Sequence, residues 1–246
     1  MIQSKRWLLL VGVITVVTGL ALTFPARIAY RWFAPDELAL SGIHGSVWNG
    51  KADAAAAAGI YVLELRWRIK PLQLLTGKAV YRIEASPASG FIEADVGVGL
   101  GGTIVLADLA AALPLNLFAQ PLGMRGLQGN ASLQFDRIEF QNDLPVEADG
   151  TLEVSSLLAP RIAREPIGGY RIEFFSQDDG IGASVEDTDG VVDIAGSLQI
   201  NSDRSYQFIA QVVAKPQAPA RLRTQMQYLP PANERGQQEL RIEGSL

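Results

Sequence analysis

The feature that most constrains the fold of this chain is an alternation of apolar and polar residues with a period of two. Because successive side chains of a β-strand point to opposite faces of its sheet, this pattern predicts strands with one apolar face. In residues 61–69 the members of the apolar face are Tyr61, Leu63, Leu65, Trp67 and Ile69. The alternation recurs in residues 79–85, 132–140, 146–154, 170–174, 192–200, 206–212, 222–228 and 240–246.

Residues that favour turns separate these segments. They occur at residues 86–90, 142–143, 178–180, 201–203 and 230–231. Many short strands with polar opposite faces favour an antiparallel sheet that buries one face. We therefore predict a mainly β fold: a curved, mostly antiparallel sheet, as a partial barrel or half-pipe, with a few short helices.

Helices take a smaller share of the chain. Residues 71–77 start with proline and end with glycine, a pattern typical of one or two helical turns. Residues 104–113, which Pro114 ends, are predicted to form a second helix. Residues 155–164 are a third candidate, although Pro160 interrupts them.

Three of the predicted strands share the pattern apolar-x-apolar-x-Gly-Ser/Thr-Leu, around Gly150, Gly196 and Gly244. In each case the glycine falls on the apolar face, where it allows the strand to bend or another element to approach closely. We interpret the three segments as similar strands of one curved sheet. Chance similarity among β-rich segments is the alternative.

A second constraint is the uncharged, almost wholly apolar run of residues 7–24, which directly follows Lys5 and Arg6. A helix of this length spans about 27 Å, enough for the hydrocarbon core of a bilayer. It predicts a cytoplasmic tail at residues 1–6, a transmembrane helix at 7–26 and a β-rich domain outside the cytoplasm at 27–246. The core of this anchor consists of Leu8, Leu9, Leu10, Val11, Val13, Ile14, Val16, Val17, Leu20 and Leu22.

The aromatic and basic residues 30–33 are expected at the far membrane interface. Lys5 and Arg6 before the run are balanced by Arg27 and Arg31 after it. The free amino terminus, and Asp36 and Glu37 beyond the far arginines, favour a cytoplasmic N-terminus by a small margin. A cleaved signal peptide is the alternative, because Ala21 and Thr23 form a weak cleavage pattern. The length of the run and the following Pro25 favour a retained anchor.

Composition excludes several classes of function. The chain has no cysteine, which rules out disulfides, thiolate metal sites and a cysteine nucleophile. Its net charge of −5 and its scattered basic residues argue against nucleic-acid binding.

The short motifs that suggest ligands lack the rest of their sites. Residues 97–102 match G-x-G-x-x-G, but no acidic residue follows at the spacing that a dinucleotide site needs, so we interpret them as a loop between a strand and a helix. Residues 187–190 resemble the start of a calcium loop, but the closing glutamate is missing. We interpret these acidic residues as part of a turn.

His44 is the sole histidine, so it does not make a typical zinc site in a chain without cysteine. Ser46 lies two residues away, on the same side of an extended segment, and no G-x-S-x-G nucleophile motif is present. We therefore predict no catalytic residue, no cofactor and no metal, and the protein is not expected to be an enzyme.

One segment after the apolar run is more distinctive. Residues 45–50 read G-S-V-W-N-G, and residues 67–72 read W-R-I-K-P-L. In order and spacing, together with the basic tail, the single span and the glycine-punctuated strands, they resemble type II secretion system protein N, also called general secretion pathway protein N. The residues that carry the resemblance are Gly45, Trp48, Gly50, Trp67 and Pro71.

The resemblance implies an inner-membrane component of the machine that moves folded proteins from the periplasm across the outer membrane. It places the β-rich domain, residues 27–246, in the periplasm, with the membrane and other inner-membrane subunits as partners. It implies no catalytic residues. The glycines permit a tight turn where the chain leaves the membrane. Trp48 and Trp67 are either core aromatics or contacts for a partner.

A membrane-anchored lipid-binding or lipid-transfer protein is the alternative function. A curved sheet with one apolar face can form an open groove for acyl chains, and lipid is then a further partner. Whether the sheet closes or stays open distinguishes a filled core from such a groove.

Overall fold

The computed structural model describes residues 2–34, 38–57, 59–74, 77–87, 89–99, 102–142 and 144–245. The helices are α1 (Ile2–Leu22), α2 (Ala26–Phe33), α3 (Pro71–Leu74) and α4 (Ala220–Met226), with a 3-10 turn at Leu115–Phe118. The strands of the N-terminal part are β1 (Leu38–Ser41), β2 (His44–Gly45), β3 (Asn49–Ala57), β4 (Ile60–Ile69), β5 (Ala79–Ser86), β6 (Phe91–Val98) and β7 (Ile104–Pro114). The remaining strands are β8 (Gln128–Gln141), β9 (Leu144–Leu158), β10 (Tyr170–Gln177), β11 (Gly180–Asp187), β12 (Val192–Asn201), β13 (Ser205–Ala214) and β14 (Gln238–Ser245).

These strands form one antiparallel sheet. From β3 to β14 each strand pairs with the next one in the sequence, while β1 and β2 both pair with β3. Within the described residues, β1 and β14 are the two edges and do not pair with each other, so the sheet is open. The prediction of a mainly β fold built on one curved antiparallel sheet is confirmed, and the structure settles the question left open by the sequence, since the two edges of the described sheet do not meet.

The curvature of the sheet follows from the packing of its apolar face. Phe135 of β8, Ala148 of β9 and Ile181 of β11 belong to one packed cluster. In a flat sheet β8 and β11 would lie about 14 Å apart. Cα atoms of β9 and β11, which are two strands apart, approach within 8 Å, although a flat sheet would hold them about 10 Å apart. The sheet therefore curves around its apolar face, which we call the concave face.

The repeated glycines lie on this apolar face, as predicted. Phe135 and Phe174 flank Gly150 on the neighbouring strands, and their ring centroids are 5.5 Å apart. A Cβ at Gly150 would lie 2.5 Å from the Cα of Phe135. Tyr206 covers Gly244 in the same way, and a Cβ at Gly196 would lie 2.7 Å from that of Ala210. Because these glycines lack a side chain, residues of the neighbouring strands occupy the space over them on the concave face.

The prediction for one face of β4 is wrong at its N-terminal half. Glu64 has a positive φ of 49°, and the pairing of β4 with β5 shifts in register between Leu63 and Arg66. This bulge reverses the alternation. Tyr61 and Leu63 consequently lie on the outer face, with exposed fractions of 70% and 51%.

The helix predicted at residues 104–113 is wrong, because this segment is strand β7. Its alanines and leucines favour a helix locally. However, β6 and β8 pair with it on both sides, and this long-range hydrogen bonding overrides the local preference. The glycine-rich segment before it therefore joins two strands, and residues 100–101 lie outside the described residues.

Two further predictions near the C-terminal part are also wrong. Residues 222–228 were expected to be a strand, but residues 220–226 form helix α4, which buries Leu222 and Met226 one turn apart. The third helix candidate fails because residues 155–158 continue β9 and a turn follows. The first candidate is confirmed as one turn, α3, with residues 75–76 outside the described residues.

The two ends of the sheet differ. At one end α4, the segment 115–127 and the segment 159–167 pack against the concave face through Leu115, Leu127, Ile167, Leu222 and Met226. The opposite end contains the start of β3, the end of β4 and the junction with α1. Among the described residues, no helix has both the length and the apolar character needed to cross a bilayer.

Candidate functional site at the junction of α1 and the sheet

The C-terminal end of α1 is tied directly to the turn between β2 and β3. The indole Nε1–H of Trp48 donates to the carbonyl oxygen of Ala21 over 2.7 Å. The backbone N–H of Val47 donates to the carbonyl oxygen of Phe24 over 3.0 Å, and Pro25 bridges to Ser46. The carbonyl oxygen of Ala21, near the end of α1, thus accepts from the sheet domain in addition to the longer bond of 3.3 Å from the N–H of Phe24.

The turn itself requires glycine at position 45. Gly45 has a φ of +88°, and a Cβ there would lie 2.5 Å from the carbonyl oxygen of Asn49. The N–H of Ser46 donates to that same oxygen over 2.9 Å, which closes the turn. A side chain at position 45 would strain the backbone and collide with the turn.

Trp67 holds the turn from the neighbouring strand. A Cβ at Gly50, its partner across the β3–β4 ladder, would lie 2.4 Å from the Trp67 ring, so the ring covers the glycine. The Trp67 Nε1–H donates to the carbonyl oxygen of Ser46 over 3.1 Å. The N–H of Ile69 donates to the carbonyl oxygen of Trp48 over 2.8 Å. The indole N–H groups of Trp48 and Trp67 therefore both donate to backbone carbonyls of the junction.

Pro71 is the fifth of the residues that carry the family resemblance. It begins α3 shortly after the end of β4. The preceding N–H, of Lys70, donates to the carbonyl oxygen of Val80 over 2.8 Å. Proline suits the first position of a helix, because its missing N–H would have no partner there. The structure thus brings Gly45, Trp48, Gly50 and Trp67 into one junction and places Pro71 at its edge.

Helix α2 adds a second tie, which the sequence analysis missed. The Tyr30 hydroxyl donates to the carbonyl oxygen of Leu38 over 3.0 Å and accepts from the N–H of Leu40 over 3.1 Å. Trp32 and Phe33, at the end of α2, are exposed. The available signal was Pro25 just before the helix, a common start position.

A charged cluster lies beside the junction on the outer face. Asp95 is the one buried charged residue among those described, with an exposed fraction of 4%. Lys70 and Arg82 both pair with its carboxylate, the latter over 3.2 Å. Burial alone would raise the pKa of Asp95, but the hydrogen bonds and charges of Lys70 and Arg82 outweigh it and hold the pKa below its usual value.

A cavity of about 390 Å³ borders this cluster. Lys70, Lys78 and Arg137 line it together with Asp95 and Glu139. Because the basic groups largely pair with the acidic ones, we interpret the cluster as a structural network that holds α3 against the sheet.

The other candidate groups are used in local structure. The Nε2 of His44 lies 4.0 Å from a carboxylate oxygen of Asp53, while the Ser46 hydroxyl accepts from the N–H of Asn49. His44 and Ser46 are therefore not arranged as base and nucleophile. Asp187 accepts from the N–H of Ile194 and pairs with a lysine. Among the described residues, no group of three or more His, Cys, Asp or Glu is placed to hold a metal ion.

Comparison with known proteins confirms the family that the sequence resembles. The family model of type II secretion system protein N matches residues 36–241. Type II secretion system protein N of Vibrio cholerae serotype O1 is 26% identical over 94% of both chains. The protein of the same name from Aeromonas hydrophila is 22% identical over 92% of this chain and 93% of its own. No solved structure matches significantly. The chain belongs to the family of type II secretion system protein N.

Proposed function

We propose that this protein is a single-pass inner-membrane subunit of the type II secretion system, with α1 in the bilayer and the sheet in the periplasm. Family membership supports a role in type II secretion. The uncharged run of residues 7–24 supports the anchor, and the free amino terminus together with Asp36 and Glu37 on the far side supports the orientation. The role is structural or accessory, without catalysis.

The observation that carries this proposal is the junction between α1 and the sheet. A helix that served only as a cleavable leader would have no need of hydrogen bonds to the folded domain. Here Trp48 and Val47 donate to carbonyls at the end of α1 and just beyond it. These bonds fix the sheet relative to the helix, which suits a retained anchor that positions a periplasmic domain beside other inner-membrane subunits.

Protease protection tests the topology. A C-terminal tag should be digested by external protease in spheroplasts, and the protein should stay in the membrane after alkaline extraction. A tag that is protected until the membrane is lysed would refute the orientation. Release of the protein on alkaline extraction would refute the anchor.

Genetic deletion tests the role. Loss of the protein should lower secretion of type II substrates, and the wild-type chain should restore it. A Trp48→Ala variant should restore it less well, while a variant of the exposed Trp32 serves as control. Equal secretion with and without the protein would argue against the proposed role.

A further inference from the structure

The concave face is less covered in strands β3–β6 than in β8–β14. The 3-10 turn at Leu115–Phe118 and the residues after it reach the start of β4, where a Cβ at Gly59 would lie 3.5 Å from Pro121. The four clusters of buried apolar side chains found among the described residues take their buried members from residues 115–226. In β3–β6 the buried residues of the concave face are small: Ala52, Ala55, Ala85 and Ala94. The larger side chains there are only half-buried, and we call them the trough: Leu65, Trp67, Tyr81, Ile83, Ile92 and Val96.

The pairing register makes the trough continuous. Trp67 lies opposite Ile83, and Tyr81 lies opposite Val96. Each pair therefore points to the same face of the sheet. Charged residues of these strands, such as Arg66 and Glu84, occupy the opposite face. The result is an apolar strip across four strands that water reaches in part.

The chemistry of the trough selects its occupant. Its polar atoms are the Tyr81 hydroxyl and the Trp67 indole nitrogen, and the latter already donates to Ser46. An extended peptide laid on this strip would bury N–H and C=O groups without partners, which is costly. An acyl chain has no such groups and gains from leaving water. We propose that the trough binds an acyl chain of a bilayer lipid.

Access to the trough lies at the end of the sheet that joins α1. There β6 ends at Val98 and β7 begins at Ile104, which pair with each other and are both exposed apolar residues. If α1 spans the membrane, as the proposed function requires, this rim faces the bilayer. A strand of the length of β5 covers about 27 Å. One acyl chain extends over about half of the hydrocarbon core, or about 15 Å, so it fits along such a strand.

Site-specific photocrosslinking in the full-length, membrane-bound protein tests this site. The photoreactive residue p-benzoylphenylalanine replaces Ile83 in the trough or, as the matched control, its neighbour Glu84 on the outer face. The protein is reconstituted into vesicles of phosphatidylethanolamine and phosphatidylglycerol and irradiated. The mass of the intact protein, with or without a lipid adduct, is then measured by mass spectrometry. We expect a lipid adduct at position 83 several-fold more abundant than at position 84. Equal adducts at both positions, or no adduct at 83, would overturn the site.

A second variant separates binding from mere proximity to lipid. Val96→Asp places a charge in the trough and should reduce the adduct at position 83 several-fold, whereas Glu93→Gln on the outer face should leave it unchanged. Tryptophan fluorescence checks that both variants stay folded. An undiminished adduct in a folded Val96→Asp protein contradicts the proposal, as does a cross-link to protein in place of lipid.

The outcomes also distinguish this proposal from the proposed function. If the protein resists alkaline extraction but forms no lipid adduct, the proposed anchor stands and the proposed lipid site is refuted. A protein whose tag proves cytoplasmic but whose trough still forms the adduct loses its topology and keeps the site.

Discussion

Strands β4 and β5 carry the same alternation of residues as most of strands β8–β14, yet the buried clusters of the described concave face lie in β8–β14 and the segments that cover them. In β8–β14, aromatic and aliphatic side chains from several strands meet, as Phe135, Ala148 and Ile181 do. In β3–β6 the comparable side chains are half-buried, and charged pairs lie on the outer face around Asp95. The filled half is thus stabilised mainly by apolar packing, and the open half depends more on its outer face and on the junction.

The largest loss of stability is expected when a buried side chain is truncated in the filled half, strands β8–β14. Phe135→Ala removes a buried ring and should lower the free energy of unfolding by about 3–5 kcal/mol. The matched change Ile83→Ala in the open half should cost clearly less, because that side chain is already partly exposed to water. Urea titration of the protein in detergent micelles, followed by circular dichroism, measures both. Equal losses would contradict the distinction between the halves.

Overpacking of the filled half should have the next largest effect. Gly150→Ala places a Cβ 2.5 Å from the backbone of Phe135, which forces the strands apart. We expect a loss of about 1–3 kcal/mol in the free energy of unfolding. Gly99→Ala is the control, since its Cβ would meet no atom closer than 3.5 Å. A well-folded, fully stable Gly150→Ala protein would show that the two rings need no glycine between them.

Acid should affect the open half through Asp95. The pKa of Asp95 is lower in the folded protein than its ordinary value of 3.8, so the folded state binds its proton less readily. The stability that this carboxylate contributes is present above about pH 4 and is lost as the pH falls through the folded pKa. Trp67 lies in β4 and Trp48 in the turn before β3, so the change in tryptophan fluorescence follows the unfolding of this half.

Asp95→Asn isolates this contribution. The variant should be less stable at pH 7, and its unfolding free energy should fall less than that of the wild type between pH 5 and pH 2. The other carboxylates titrate in both proteins and cancel in the comparison. Identical pH profiles would mean that the pairs with Lys70 and Arg82 contribute no net stability.

The smallest effect is expected at the junction. Trp48→Phe keeps most of the ring but removes the indole N–H that bonds to Ala21. Loss of one such hydrogen bond should cost about 0.5–1.5 kcal/mol. Trp32→Phe, at an exposed position, should cost almost nothing. Cleavage by protease between α1 and β3 should become faster only in the Trp48 variant; equal rates would show that this bond does not fix the helix.

The resemblance and much of the fold could be recognised from the sequence alone. Segments with an uninterrupted alternation, such as residues 192–200, form strands with the expected apolar face. A period of two places all the apolar side chains on one face only when the segment is a strand. Predictions failed where neighbours decided the outcome. Residues 104–113 have helical propensity but are held between β6 and β8, and the bulge at Glu64 turned Tyr61 and Leu63 outward.

At the candidate site, the sequence pointed to Gly45, Trp48, Gly50, Trp67 and Pro71 but not to what they do. The positive φ of Gly45 was foreseeable in a tight turn. The bond from Trp48 to Ala21 was not, because it joins residues 27 positions apart whose meeting depends on the path of the whole chain.

The sequence by itself determined that this chain forms a β-sheet with one apolar face behind an N-terminal helix, since both follow from local periodicity and composition. Only the tertiary structure decided which part of that face is filled and which part is open. Packing depends on how far the sheet curves and where α4 and the loops return, and these are set by contacts between residues distant in the sequence.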